Sequence, residues 1–263
     1  MKRRFDFHEH WVEIIGVSGL ILGIIGEINF TFTNPVLAEL KRMYGDVSSE
    51  LISIGLTVLI IDRANQMLAT REEKKRLILQ LGSTDRTFSL EAARMLRARG
   101  WLTDGSLQQA ALSKSSLSKA ELNGADLSAA TLIGASLVGT DLRNARLVQA
   151  QLNDANLSRS FLINADLSGA NLTCADLTSA NLVEAHLVGA NLSKADLSKA
   201  DLTGANLTSA ILSGAFLNGA LMTGAVLIGA NLNGADLSGA SVSPEQLEQA
   251  ASRSRMILPD GSI

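Results

Sequence analysis

Few side chains in this 263-residue chain have the types and spacing that catalysis or metal binding requires. His8 and His10 flank Glu9 near the N-terminus, but this short polar segment is better explained as a solvated flank than as a metal pair. His186 comes directly before a leucine, where neighbouring segments carry Asp or Asn, and is predicted to point outward. Cys174 is the only cysteine, which excludes a disulfide framework and a Cys-based metal site, so we interpret it as a small surface residue.

Glu27 is the one remaining candidate, because it lies inside the apolar run Val12–Phe30. A carboxylate buried in such a run is costly and can be functional, but its position near one end of the run favours solvation at an interface. The sequence contains no phosphate loop, nucleophile elbow or two-His zinc spacing. We therefore predict no enzyme activity, no cofactor and no bound metal.

Composition and charge point instead to a repetitive interior. Hydrophobic residues make up 46% of the chain and aromatic residues only 4%, so most of the apolar content is Ala and Leu. Residues 1–100 carry a net charge of +2 (14 basic, 12 acidic), and residues 101–243 carry −4 (7 basic, 11 acidic). No segment is basic enough to predict binding to nucleic acid through its phosphates.

A five-residue repeat occupies the second half of the chain. Between positions 107 and 242, in steps of five, 26 of 28 residues are Leu, with Met222 and Val242 as the exceptions. Two residues before each of these positions, 24 of 28 residues are Ala. Such self-similarity is typical of solenoid architectures, in which each unit packs only against its neighbours.

The spacing of Ala and Leu predicts an extended chain that bends once in every unit. Residues two apart in an extended chain share a face, so the Ala and Leu of one unit point the same way. The next Ala follows that Leu by three residues and stays inside only if the chain turns. A helix fails, because steps of five at about 100° per residue scatter the leucines around the axis.

The residues at the expected bends agree with this interpretation. The second residue after Leu is frequently Gly, and it is Asn or Asp at positions 144, 154 and 164. These residue types tolerate the tight or left-handed conformations that turns require. A chain that turns the same way at each unit coils, with rungs about 4.8 Å apart.

The stretch ADLSGANLTCADLTSANL at 165–182 resembles the pentapeptide-repeat protein family, whose motif is Ala, Asp or Asn, Leu and two variable residues. The resemblance covers roughly residues 104–243. It implies an all-β solenoid, a right-handed quadrilateral β-helix with four units per coil and about seven coils. At about 4.8 Å per coil the rod is expected to be roughly 34 Å long.

Both ends of such a rod need caps, because open ends expose the core and unpaired backbone. A short helix is predicted from Ser89, as a possible N-cap, to a terminator at Gly100, with Trp101 as the plug of the first coil. At the other end, Ser243 is predicted to cap a helix that starts at Pro244.

The first hundred residues predict a membrane anchor. Val12–Phe30 is long enough to span a bilayer and 47–61 is marginal. More basic residues lie outside the two runs than between them, which favours a hairpin with both termini and the repeat domain cytoplasmic. Some pentapeptide-repeat proteins carry membrane helices at this place. A buried helix in a small soluble domain, and a cleaved signal peptide without an Ala-x-Ala site, are the alternatives.

These interpretations divide the chain into four segments. They are a helical hairpin anchor with a cytoplasmic helical extension at 1–82, a capping helix and entry to the solenoid at 83–103, the repeat β-helix at 104–243, and a C-terminal capping helix and tail at 244–263.

Apolar residues at outward positions are the candidate interaction surface. The position before Leu is mostly polar, but Ile211, Phe216, Leu221 and Val226 occupy it in four consecutive units. If four units make a coil, they form an apolar belt around the rod, unless the tail at 256–258 folds back over part of it.

A second group of outward apolar residues precedes the belt. Phe161, Ile163 and Val183 are predicted to share one face in neighbouring coils. They form either a second patch for a partner or scattered surface apolar residues of the ordinary kind.

We therefore expect a membrane-tethered scaffold that binds an unidentified protein partner, or a second copy of itself through the C-terminal coils. One alternative comes from a subgroup of the family that mimics DNA and protects a topoisomerase from quinolone drugs, but a net charge of −4 with interspersed Lys and Arg is too weak for mimicry of a duplex. The other alternative is a regulatory domain of a small membrane sensor or channel.

Overall fold

The computed structural model describes residues 35–263, with side chains from residue 53 onward. The chain divides into two compact units, Met1–Glu73 and Lys74–Ile263. Three helices are present among the described residues: α1 (Pro35–Leu81), α2 (Arg86–Ala98) and α3 (Pro244–Glu248). Between α2 and α3 the chain forms the predicted solenoid.

Parallel backbone pairing at a spacing of twenty residues defines the coils. Asn171 pairs with Asn191, Asn191 pairs with Ile211, and the other pairs follow the same rule as far as Ser241. The last two pairs, which join Asn231 to Ser252 and Asp236 to Ile257, are 21 residues apart. Twenty residues are four units of five, so each coil has four faces. Each face carries between six and eight rungs within the described residues, and the prediction of about seven coils is confirmed.

Each unit turns through a residue with positive φ at the predicted bend. The Ala165 N–H donates to the Leu162 carbonyl at 3.0 Å, and Asn164 between them has a φ of 55°. A hydrogen-bonded four-residue turn with positive φ at its third position is the arrangement of a type II turn. The bend occurs at the second residue after Leu from Gln109 to Gly239 without interruption.

Backbone hydrogen bonds between coils stabilise the stack. The Leu162 N–H donates to the Asn181 carbonyl at 2.7 Å, and the Asn164 N–H donates to the Val183 carbonyl at 3.0 Å. The Asn181 N–H in turn donates to the Ser160 carbonyl at 2.9 Å. Because three backbone bonds per unit run between coils, a rod without long strands still satisfies its buried peptide groups.

The Ala and Leu side chains fill the interior of the coils. Almost all of them are inaccessible to solvent, including Met222, which replaces a Leu. Each fully buried Leu contributes about 1.5–3 kcal/mol relative to an exposed one. Ser115, Thr140 and Ser160 take Ala positions and are buried as well.

The N-terminal end is closed by helices. Helix α2 begins at Arg86, with Asp85 rather than Ser89 as its N-cap, because the Asp85 carboxylate accepts the N–H groups of Thr87 and Phe88. The predicted cap at Ser89 is wrong: this residue is buried one turn into the helix.

The hydroxyl of Ser89 has a different use, since it donates to the Ser83 carbonyl at 2.8 Å. Gly100 follows the helix with a φ of 72°, as predicted for its terminator.

The C-terminal end is closed by a short helix and by a further part of a coil. Ser243 and Gln246 form a capping box at the start of α3, which confirms the predicted cap. After the helix the chain rejoins the stack, since Ser252 pairs with Asn231 and Ile257 pairs with Asp236.

The predicted membrane spans at the N-terminus are not supported in the same way as the caps. Across the part of the chain that the structure describes, no helix contains a stretch both long enough and apolar enough to cross a lipid bilayer. The predicted pair of spans is therefore not supported. The second run, 47–61, lies within α1, and the first, Val12–Phe30, lies outside the described residues.

Candidate interaction surface

The apolar belt consists of Ile211, Phe216, Leu221 and Val226, one on each face of a single coil. Phe216 is 50% exposed, Leu221 48% and Ile211 39%, and Val226 is partly buried. The backbone pairing thus confirms that four units close one coil and that the belt runs around the rod at one level. Exposed apolar side chains grouped at one level mark a binding site more often than single exposed residues do, although Ser213, Asn218 and Thr223 lie at the corners between them.

Only side chains are available for contact at the belt, because its backbone is fully used. The Ile211 N–H donates to the Ala190 carbonyl at 2.9 Å, and the Ile211 carbonyl accepts from the Leu192 N–H at 2.7 Å. Phe216 makes the equivalent pair of bonds with Ala195 and Leu197. The belt therefore offers apolar side chains for contact and no free backbone edge to which a strand could add.

The surroundings of the belt carry almost no charge. Asp236 is the single charged residue between positions 202 and 244. Hydrogen bonds from Ser238 and Asn218 hold the pKa of Asp236 below its ordinary value, so it remains a carboxylate at neutral pH. Depletion of charge together with exposed aromatic and aliphatic side chains is the compositional signature of the centre of a protein interface.

The tail leaves the belt open. Ile257 stacks on Asp236 and so continues the column that contains Phe216, instead of folding back across it. The side-chain amide of Gln246 in α3 donates to the carbonyls of Met222 and Ala225, both at 2.8 Å, at the corner where the regular stack is interrupted. The alternative that the tail covers part of the belt is therefore not supported, because the tail residues extend the coil.

Two residues that sequence analysis did not single out extend the surface. Ile228 is 56% exposed and lies two residues after Val226. Val188 is exposed as well and lies forty residues, or two coils, before Ile228 on the same face. Both follow a Leu directly, and a search for apolar residues at that turn position would have found them.

The three residues of the second group share one face in neighbouring coils, as predicted, but they differ in exposure. Phe161 is 47% exposed, whereas Ile163 and Val183 are half-buried in neighbouring coils. All three lie on the face that carries Leu221, three coils after Phe161.

Trp101 lies at the margin of the N-terminal closure. It is partly buried and packs against the core, while the fully buried side chains at this end include Leu81 and Leu96. The Lys74 ammonium lies 5.0 Å from the centre of the Trp101 ring and forms an ion pair with Asp104 at 2.7 Å.

The residues that sequence analysis considered for catalysis or metal binding do not come together in the described part of the chain. His186 is exposed at an outward position, and Cys174 is exposed at a bend with a φ of 57°. No group of three or more His, Cys, Asp or Glu residues that could hold a metal occurs among the described residues. His8, His10 and Glu27 lie outside them.

The repeat region matches a known protein family. The family model "Pentapeptide repeats" matches in eight copies over residues 106–144, 135–173, 150–187, 170–208 and 210–243, which together cover about half of the chain. A comparison with curated protein sequences gives no match.

Several solved structures resemble the chain. HetL, a pentapeptide repeat protein involved in heterocyst differentiation regulation from the cyanobacterium Nostoc sp. strain PCC 7120, is 38% identical over 59% of this chain and 73% of its own, with a TM-score of 0.30. A pentapeptide repeat protein of the Arabidopsis thaliana thylakoid lumen is 31% identical over 36% of this chain and 71% of its own, with a TM-score of 0.35.

A third structure is QnrB1, a plasmid-mediated fluoroquinolone resistance protein, which is 21% identical over 57% of this chain and 74% of its own, with a TM-score of 0.41. Because all three TM-scores are below 0.5, the assignment depends on the family model and the coil geometry. On that evidence, the chain belongs to the pentapeptide-repeat family.

Proposed function

We propose that this protein is a non-enzymatic scaffold that binds another protein through the apolar belt. The observation that carries the proposal is the exposure of Ile211, Phe216 and Leu221 on three faces at one level of the rod, with partly buried Val226 on the fourth, in a stretch with a single charge. Members of the pentapeptide-repeat family are generally structural or interaction proteins, which agrees with this role.

Stability does not explain the belt. In the columns of Ile211 and Phe216 the preceding and following coils carry Asn or Asp. At these positions the side chain accepts the N–H two residues later, as Asn231 does from Asn233 at 3.1 Å. The belt residues forgo this bond and expose apolar surface, so they are expected to serve contact rather than folding.

A variant with Asn at all four belt positions tests the proposal. Because Asn is the ordinary residue there, the variant is expected to fold and to melt at the wild-type temperature or slightly above it. It should also lose binding to the partners that co-purify with the wild-type chain. Asn156→Asp with Asn181→Asp is the matched control, since it changes the columns of Phe216 and Leu221 far from the belt. Equal partner recovery from belt variant and wild type would contradict the proposal.

The tether is part of the proposal. The length of Val12–Phe30 and the basic residues before it support a membrane anchor at the N-terminus. Carbonate washing of a membrane fraction should leave the full chain in the pellet. Release of the full chain into the supernatant would exclude an inserted anchor.

The charge pattern argues against the alternative of DNA mimicry. Along the face that ends at Val226, successive outward residues are Asp126, Arg146, Asp166 and His186. A duplex carries one negative charge per about 1.7 Å of its axis, and a column in which Arg146 separates two single carboxylates does not reproduce this. Inhibition of topoisomerase supercoiling by stoichiometric rod would favour mimicry instead.

A further inference from the structure

The final rung of the solenoid carries an arginine where the repeat has an inward leucine. Asn231 pairs with Ser252, and the Leu232 N–H donates to the Ser252 carbonyl at 2.8 Å, so Arg253 follows Leu232 in the stack. Every earlier member of this column, from Leu112 to Leu232, is a fully buried Leu, whereas Arg253 is exposed.

We infer that Arg253 prevents the C-terminal ends of two rods from associating end to end. The inference goes beyond the proposed function, because it concerns the end of the rod and not the belt around its sides.

The backbone beside Arg253 is an open edge. Inside the stack, the N–H at the Leu position and the N–H at the bend both donate to the following coil, as those of Leu232 and Gly234 do at 2.8 and 2.9 Å. Within residues 35–263, the equivalent N–H groups of Arg253 and Arg255 have no hydrogen-bond partner. Unpaired groups of this kind are a template for pairing with another chain.

Other parts of the two ends are better protected. In the next unit of the final rung, the Leu258 N–H donates to the Ser262 carbonyl at 2.7 Å, and Met256 is buried. At the opposite end of the rod, Leu81 and Leu96 of the closing helices are fully buried. End-to-end association would therefore have to join two C-terminal ends, at the unit that contains Arg253.

The position of Arg253 makes a further rung unfavourable there. A coil stacked on this end would bury the guanidinium at the end of a column of leucines. Transfer of an unpaired charge from water into an apolar interior is costly, whereas transfer of a Leu is favourable. Inward-pointing charged residues are one of the means by which natural sheet edges are kept from pairing.

Burial of the charge, rather than repulsion between like charges, is the basis of the inference. Residues 244–263 contain two basic and three acidic residues, so two such ends do not carry a strong charge of one sign. None of the ion pairs among the described side chains involves Arg253. Its guanidinium therefore relies on water, which a second rod would remove.

Cysteine cross-linking of the detergent-solubilised full chain tests the inference. In a Cys174→Ser background, Ile263→Cys reports contact between C-terminal ends, since Ile263 is 88% exposed. Ser113→Cys, at an exposed position in an early coil, reports contact elsewhere along the rod. With a short thiol cross-linker, Arg253→Leu should raise the yield of Ile263→Cys dimers at least about tenfold and leave the Ser113→Cys yield unchanged.

Three further substitutions separate charge from other effects. Arg253→Met, a second apolar variant, should behave as Arg253→Leu does, and Arg253→Lys, which keeps the charge, should behave as the wild type does. Arg159→Leu is the matched control, because it removes an exposed arginine from a corner on the side of the rod. Far-ultraviolet circular dichroism and the melting temperature show that each variant is folded.

The outcomes decide the inference independently of the proposed function. Equal Ile263→Cys dimer yields in the wild type and both apolar variants would overturn it, as would efficient dimer formation by the wild type itself. An equal rise with Arg159→Leu would indicate a general effect of lost charge and would also overturn it. Failure of the belt to bind a partner would contradict the proposed function and leave the role of Arg253 untouched.

Discussion

The first and last coils of the solenoid share one interior and differ on the outside. Their Ala and Leu side chains are equally buried, and the same three backbone bonds join each unit to the next coil. Near the N-terminal end the outer surface carries charged pairs, such as Arg143 with Asp141 at 2.7 Å. Near the C-terminal end it carries the apolar belt. The comparison shows that a solenoid core places almost no constraint on its exterior, so function can change from one coil to another.

The residues at the bends also differ between the early and the late coils. Lys114, Lys119 and Ala129 adopt positive φ in the early coils, whereas Gly occupies almost every bend after position 200. Non-glycine residues in this conformation cost roughly 1–2 kcal/mol each. The early coils therefore tolerate backbone strain and gain side chains at the corners, while the late coils have bare corners between their apolar residues.

The largest expected effect tests the shared interior. Leu152→Ala and Leu217→Ala should each lower the free energy of unfolding by about 2–5 kcal/mol, because both create a cavity in a fully buried column. Chemical denaturation measures the change. Values that differ several-fold between the two sites would show that the early and late interiors are not equivalent.

The bends provide a reciprocal test. Gly214 has a φ of 66°, and a Cβ there would lie 3.7 Å from the Lys194 side chain, so Gly214→Ala adds backbone strain without a clash. It should destabilise the protein by about 1 kcal/mol. Ala129→Gly, at a φ of 56°, should relieve strain and stabilise by about 0.5 kcal/mol after the larger unfolded-state entropy of Gly. Destabilisation by both substitutions would contradict this account of the corners.

The buried Ser and Thr residues at Ala positions in the early coils give a third test of the interior. The buried hydroxyls of Ser115 and Ser160 have no hydrogen-bond partner, whereas the Thr140 hydroxyl donates to the Leu117 carbonyl at 2.8 Å. Ser160→Ala should therefore raise the free energy of unfolding by about 1 kcal/mol, and Thr140→Ala should lower it by a similar amount. Thermal unfolding of the pair decides, and equal signs would refute the distinction.

The smallest expected effect is the change in melting temperature at low pH. It should come mainly from the coils that carry charged pairs. The hydrogen bond from Arg143 is the main cause that holds the pKa of Asp141 below its ordinary value of 3.8. A lowered pKa means that this carboxylate stabilises the fold at neutral pH and that the contribution is lost as pH falls below about 3.8. Arg143 is exposed and Asp141 only partly buried, so water screens the pair, and Asp141→Asn should reduce the acid-induced fall in melting temperature by about 2 °C or less. An unchanged pH profile would show that the pair contributes nothing.

Much of the site could be predicted, because a strict period makes position along the chain equivalent to position on a face. The belt and its exposure follow from the spacing of Ile211 and Phe216 once four units close a coil. Ile228 and Val188 were missed because the position directly after Leu was considered only around Phe161, where it gave Ile163 and Val183. The open belt could not be foreseen either, since the tail has no repeat signature that marks Ser252 and Ile257 as further rungs.

The sequence by itself determined the interior, the bends and the outward positions, because Ala and Leu at fixed intervals stay inside only if the chain bends once in every unit. The backbone pairing decided that four units close one coil. Tertiary structure alone decided how the ends close. Asp85 rather than Ser89 caps α2, and Gln246 reaches across to the Met222 carbonyl, because these choices depend on which backbone groups the neighbouring coil leaves unpaired. A periodic pattern carries no information about the place where its own repetition stops.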